Sequence, residues 1–237
     1  MQRLDKILSE AGVATRKELR NMIRAGRVVV NGVTAKNPEE KYDEKSAQIF
    51  VDGIKITATE PILLMLHKPA GFVTSTADPR DRTVMELLPQ EYARYDLKPV
   101  GRLDKETEGL LLFTNDGDLA HRLISPKSEL PKIYLAEHEG IATEEDVLAF
   151  REGIILKDGT ECRPAELKIL RQGVALVQVT EGKYHQVRRM MASRGLPVSY
   201  LKRIAEGGIV LGDLPLGECR KVDIDTVFEP IHGEIVQ

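Results

Sequence analysis

Apolar residues Leu4, Ile7, Leu8 and Ala11 recur at helical spacing and Gly12 follows them, so the chain opens with a short helix. Thr15 and Glu18 have the spacing of a capping box, and Leu19, Met22 and Ile23 form the apolar face of a second helix that Gly26 ends. The period then changes to that of strands. Val28-Val29-Val30 runs into Asn31-Gly32, a hairpin signal, and 48–56 reads as one further strand. From Ile62 onward the texture is β-rich: a buried strand over 62–66, a loop over 67–71, another strand over 72–75, and a short helix over 83–88 ahead of Pro89.

The longest apolar run, Leu110-Leu111-Leu112-Phe113, lies between Gly109 and the turn Asn115-Asp116-Gly117, which makes it a buried strand. Asp118 is placed to cap a helix through Ile124, 132–135 reads as a strand, and Thr143 caps an amphipathic helix over 143–151. Small and apolar residues alternate over 173–179. Val187, Met190 and Met191 share the inward face of a helix over 185–194. Residues 212–217 form a turn, and the chain from Asp225 onward reads as a tail.

Composition changes this picture little until charge is placed along it. The 237 residues suffice for two modest domains, 42% are apolar, and the net charge is -3, a poor overall balance for a binder of polyanions. The distribution is uneven, however. Residues 1–36 hold eight Lys or Arg against three acids, a net of +5, and 181–203 hold six against Glu181 alone, again +5. Two basic islands on an otherwise acidic chain point to a polyanion held at defined places. In the first, Arg16, Arg20 and Arg24 recur every fourth residue with Lys17 and Arg27 beside them, a stripe opposite the apolar face. The second contributes Lys183, Arg189, Lys202 and Arg203 as nucleic-acid contacts.

Cys162 and Cys219 are too few for a disulfide framework or a zinc site, Asp116 and Asp118 lack the spacing of a calcium loop, and no metal is expected. No apolar run approaches a membrane span and Met1-Gln2-Arg3-Leu4-Asp5 lacks the apolar core of a signal peptide, so a cytoplasmic protein without membrane contact is expected.

Candidate chemistry sits in Gly101-Arg102-Leu103-Asp104-Lys105-Glu106-Thr107-Glu108-Gly109-Leu110-Leu111-Leu112-Phe113, where one carboxylate, Asp104, occupies a bend and Arg102 stands two residues before it. An aspartate after a strand is also a common turn former or helix cap. The stretch resembles the catalytic motif of the RNA pseudouridine synthases, in particular the ribosomal small-subunit (RsuA-type) branch. Lys68-Pro69-Ala70-Gly71 is similar to that family's first motif. Lys132-Ile133-Tyr134 and Glu181-Gly182-Lys183-Tyr184-His185-Gln186-Val187-Arg188-Arg189-Met190 are similar to later ones, the Tyr184-His185-Gln186 wording being closest to the small-subunit branch. Residues 1–58 resemble the alpha-L, S-four type of RNA-binding domain. Ala205-Glu206-Gly207-Gly208 departs from the family pattern by its acid.

The resemblance implies an α+β protein: a small N-terminal alpha-L RNA-binding domain (1–58), a linker (59–61), and a larger mixed, mainly antiparallel β-sheet catalytic domain of pseudouridine synthase type (62–237). It implies that Asp104 is catalytic, that Arg102 fills the gap left by a flipped-out base, that Tyr134 stacks on the uracil, and that Arg188 pairs with Asp104. Lys68 either touches the RNA backbone or packs its stem across the core. The expected reaction is isomerisation of uridine to pseudouridine in ribosomal RNA, most of all 16S rRNA, by a monomer acting on rRNA or an assembly intermediate. Nothing is added to the nucleoside, so no cofactor is expected. The competing expectation is a non-catalytic RNA-binding or ribosome-assembly factor of the same fold.

Overall fold

The computed structural model describes all residues except 45, 57–59, 126 and 232–237, so part of the expected linker and the end of the expected tail lie outside the described residues. Two compact units are present. One comprises residues 1–61 with 89–97 and 115–117, and the other comprises 62–88, 98–114 and 118–237.

The first unit runs β1 (Gln2–Arg3), α1 (Leu4–Glu10), α2 (Arg16–Arg24), β2 (Val28–Val30), β3 (Val33–Thr34), β4 (Lys41–Tyr42), β5 (Ile49–Val51) and β6 (Ile54–Ile56). Thr15 and Glu18 make the capping box: the Glu18 N–H donates to Thr15 Oγ1 at 3.4 Å and the Thr15 N–H donates to Glu18 Oε2 at 3.0 Å. Leu4, Leu8, Leu19, Ile23, Val28 and Val51 meet in one core, each such side chain contributing about 1.5–3 kcal/mol by its burial. The strands pair antiparallel in the order β3-β2-β5-β6, with β1 on β4. The single strand expected over 48–56 is two strands, because Asp52 (φ 50°) and Gly53 (φ 80°) reverse the chain as Asn31 (φ 51°) and Gly32 (φ 81°) do in the β2–β3 hairpin. Asp-Gly carries the same turn chemistry as Asn-Gly, so this hairpin was readable.

The second unit holds β7 (Leu63–Lys68), β8 (Lys98–Val100), β9 (Glu108–Thr114), α3 (Gly117–Ile124), β10 (Lys132–His138), α4 (Glu144–Glu152), β11 (Glu166–Arg171), β12 (Val174–Val179), α5 (Gln186–Ser193), β13 (Val198–Glu206), β14 (Ile209–Val210) and β15 (Cys219–Val222). Its nine-stranded sheet has the order β11-β12-β10-β13-β9-β7-β15, with β14 on β13 and β8 on β9. Every pairing is antiparallel except β13 with β9, where Lys202 faces Glu108 and Arg203 faces Gly109. That junction sets Asp104, just ahead of β9, one strand removed from β10, which carries Tyr134 and lies on the far side of β13. Gly109 is obligatory there, since a Cβ would stand 2.1 Å from the Arg203 carbonyl oxygen and φ is +106°.

Four expectations change in this unit. His67 and Lys68 belong to β7, which is buried along its whole length, and not to a loop. Residues 72–75 make an isolated bridge between Val73 and Thr83 instead of a strand. The α3 helix already begins at Gly117, which puts Asp118 inside its first turn rather than ahead of it. The expected tail begins as structure: Asp225–Phe228 is a 3-10 turn whose Val227 is fully buried. A Cβ on Gly207 or Gly208 would stand 2.1 Å from the Val227 oxygen or 2.2 Å from the Thr226 oxygen, so the glycine pair is what lets this segment dock. Among the described residues no helix is long and apolar enough to cross a membrane.

Candidate active site

The bend 101–107 has no strand or helix pairing of its own, so its shape depends on what holds its carbonyls. Lys68 does this from the end of β7. Its side chain is fully buried and its ammonium donates to the carbonyl oxygens of Pro69 (3.0 Å), Asp104 (3.2 Å), Lys105 (3.1 Å) and Thr107 (2.9 Å). Burial lowers the Lys68 amine to about 8, against the pull of Glu106, Glu108 and Asp104. Thr74 grips the same bend at Leu103: its hydroxyl donates to the Leu103 oxygen at 2.8 Å and accepts from the Leu103 N–H at 3.1 Å. The Gly71 N–H donates to the Lys105 oxygen at 2.9 Å. Of the two uses expected for Lys68, its stem is packed in the core as one of them had it, and its ammonium ties the Asp104 bend.

A cleft enclosing about 70 Å³ opens here, with Asp104, Arg102, Tyr134, His185 and Leu201 in its wall. The Asp104 side chain is 36% exposed, and His185 Nε2 lies 3.4 Å from its Oδ1. Tyr134 is buried in β10, opposite Arg203 on β13. Burial raises its hydroxyl above the usual phenol range, Glu206 and Asp104 add to that rise, and Arg203 opposes it. Arg102 is exposed where it lines the cleft. The cleft thus offers a partly solvated carboxylate, on a locked bend, beside a buried aromatic ring.

Two sequence expectations fail. Arg188 does not pair with Asp104: its Nη1 donates to the Val198 oxygen at 3.1 Å and ties α5 to β13, while the imidazole of His185 takes the place at the carboxylate. Arg203 is not a surface contact. It is 2% exposed, its Nε donates to the Leu110 oxygen at 2.7 Å, and Nη2 pairs at 3.1 Å with Glu206, which stands 3.7 Å from Lys132. The acid at 206 that departed from the family pattern is therefore the counter-ion of a buried cation.

Other cations have protein partners. Lys183 pairs with Glu181 at 2.9 Å and donates to the Glu161 oxygen; Arg189 binds Asp158 at 2.6 Å. In the first unit, Arg20 lies 3.5 Å from the buried Asp5, which Arg3 holds at 2.9 Å, and Arg27 Nε donates to Asp52 at 2.9 Å. Burial would raise the Asp5 carboxyl, but the hydrogen bond and charge of Arg3, joined by Arg20, hold it below the usual carboxylate range. Arg16, Lys17 and Arg24 stand exposed, and Lys202 is half-buried. Sequence reasoning missed the clamp of Lys68 and Thr74 and the contact of His185. The one available signal was a lysine two residues beyond the apolar run 62–66.

Comparison with known proteins assigns the fold and the family. Residues 62–193 match the family described as RNA pseudouridylate synthase, and residues 2–49 match the S4 domain. The "Uncharacterized RNA pseudouridine synthase YtzG" of Bacillus subtilis is 41% identical over 93% of this chain and 94% of its own. The "Ribosomal large subunit pseudouridine synthase B" of Bacillus subtilis is 36% identical over 94% and 92%, and the "Ribosomal small subunit pseudouridine synthase A" of Vibrio parahaemolyticus 38% over 95% and 99%. A crystal structure of a pseudouridylate synthase superimposes with a TM-score of 0.68 at 33% identity, covering 96% of this chain and 100% of that one. The chain belongs to the RNA pseudouridine synthase family, with an S4 domain ahead of its synthase domain.

Proposed function

We propose that the chain isomerises uridine to pseudouridine in ribosomal RNA, with 16S rRNA of the small subunit as its target. The observation that carries this reading is the partly exposed Asp104 carboxylate on a bend locked by Lys68 and Thr74, with the Tyr134 ring in the same cleft. Breaking the bond from ribose to N1 develops positive charge on the sugar, which a carboxylate stabilises as a nucleophile or by its charge. In this reading Asp104 is the catalytic residue, Tyr134 stacks on the extruded uracil, and Arg102 fills the gap the base leaves behind. Extrusion costs a few kcal/mol, offset by stacking and by backbone contacts from Arg16, Lys17 and Arg24. The preference for the small subunit follows from Tyr184-His185-Gln186, and relatives that are as similar bear both small- and large-subunit names. The acting form is a monomer on rRNA or an assembly intermediate in the cytoplasm.

The test is to map pseudouridines in 16S and 23S rRNA from cells with and without the chain, and to repeat the reaction with purified protein and transcripts. One 16S position should depend on the chain. Asp104→Asn should lower conversion more than about a thousandfold while RNA affinity stays within about twofold. A site lost from 23S instead would redirect the assignment to the large subunit, and no lost site would favour a non-catalytic binding factor.

A further inference from the structure

Tyr184 is the most exposed aromatic side chain on the cleft side of the second unit, at 75%. Its ring is not loose. It stacks on the His185 imidazole with centroids 3.9 Å apart and planes 16° from parallel, and that imidazole in turn reaches Asp104 at 3.4 Å. The backbone at His185 is held in the left-handed region (φ 46°), where the Cβ of an L-residue crowds its own carbonyl. Neighbours over-determine it: the Lys183 N–H donates to Gln186 Oε1 at 2.9 Å, Gln186 Nε2 donates to Glu181 at 2.8 Å, and Arg189 Nη1 donates to the Tyr184 oxygen at 3.4 Å. A strained loop pinned from both sides thus presents one bare aromatic face, one residue away from the wall of the cleft.

Packing gives no reason for this. A ring placed for core burial would not leave three-quarters of its surface in water, and a lone stack on histidine does not require an exposed outer face. Building on the reading above, we propose that the outer face of Tyr184 is a stacking site for an unpaired RNA base adjoining the extruded uridine. Arg102, exposed in the cleft wall, and Lys183, which pairs with Glu181 beside it, bring positive charge to this region, which favours a nucleotide over an apolar protein segment. Stacking is tolerant of sequence, so the site holds the flank in register without reading it, and the His185 ring transmits that position to the neighbourhood of Asp104.

Full-length protein is titrated with a fluorescein-labelled single-stranded oligouridine, read by anisotropy across salt concentrations. Tyr184→Ala should weaken binding about tenfold with the salt slope unchanged, because a π-contact and no phosphate contact is lost. Tyr184→Phe and Tyr184→Trp should stay within about twofold. On rRNA carrying the mapped uridine, Tyr184→Ala should raise KM by the same factor with little change in kcat. Oligouridine affinity unchanged in Tyr184→Ala would overturn the proposal and leave the ring to a protein partner, and so would a loss matched by a shallower salt slope. The two readings fail separately: aromatic-dependent binding by a protein that modifies no rRNA sinks the catalytic reading alone, whereas an active protein indifferent to Tyr184→Ala sinks the stacking site alone.

Discussion

The two basic islands carry the same net charge in sequence and put it to different physical uses. On α2 of the first unit, Arg16, Lys17 and Arg24 project into solvent. In the second island Arg203 is buried on Leu110 and Glu206, and Lys183, Arg188, Arg189 and Arg194 hold protein partners; Lys68, outside the island but in the same unit, is buried on the bend that bears Asp104. An exposed cation attracts phosphate and is screened by salt; a buried one must be paired, and once paired it positions backbone. Charge counted along a chain therefore measures a potential for RNA contact only where burial leaves the charge in water.

That contrast can be broken by substitution. Arg203→Met leaves the buried Glu206 with the more distant Lys132, 3.7 Å away, in place of its close guanidinium partner, and urea denaturation should show a loss of about 3–5 kcal/mol, partly restored by adding Glu206→Gln. A loss below about 1 kcal/mol would mean that Arg203 is no structural ion at all. Lys68→Met removes donors to four carbonyls and should cost about 1.5–3 kcal/mol, with kcat on rRNA falling about a hundredfold and RNA affinity retained. If affinity fell and kcat held, Lys68 would belong with the phosphate contacts instead. The smallest effect belongs to the first unit. Neutralising Arg16, Lys17 and Arg24 together should reduce the slope of log affinity against log salt by about 2–3, at ~0.7–0.9 per phosphate contact, with the urea midpoint nearly unmoved. An unchanged slope would make α2 a solvated surface and erase the comparison.

Much was legible along the chain because its determinants are local. The Thr15 and Glu18 capping box, the Asn31-Gly32 hairpin and the inward face of Val187, Met190 and Met191 each follow from neighbours a few residues apart. The motif around Asp104 likewise marked the candidate site, since a bend between two strands is written in its own glycines and charges. What lay beyond reach was partner choice across long separations. Lys68 meets residues 36 to 39 positions away, and His185 meets Asp104 from another element altogether. Strand pairing decides such meetings: antiparallel β7 and β9 set Lys68 opposite Gly109, just past the bend, and the parallel junction of β9 and β13 brings the Arg203 backbone against that same glycine. Residue type and spacing determine which groups a chain owns; which of them lose water, and against whom, follows only from the order in which the strands are laid side by side.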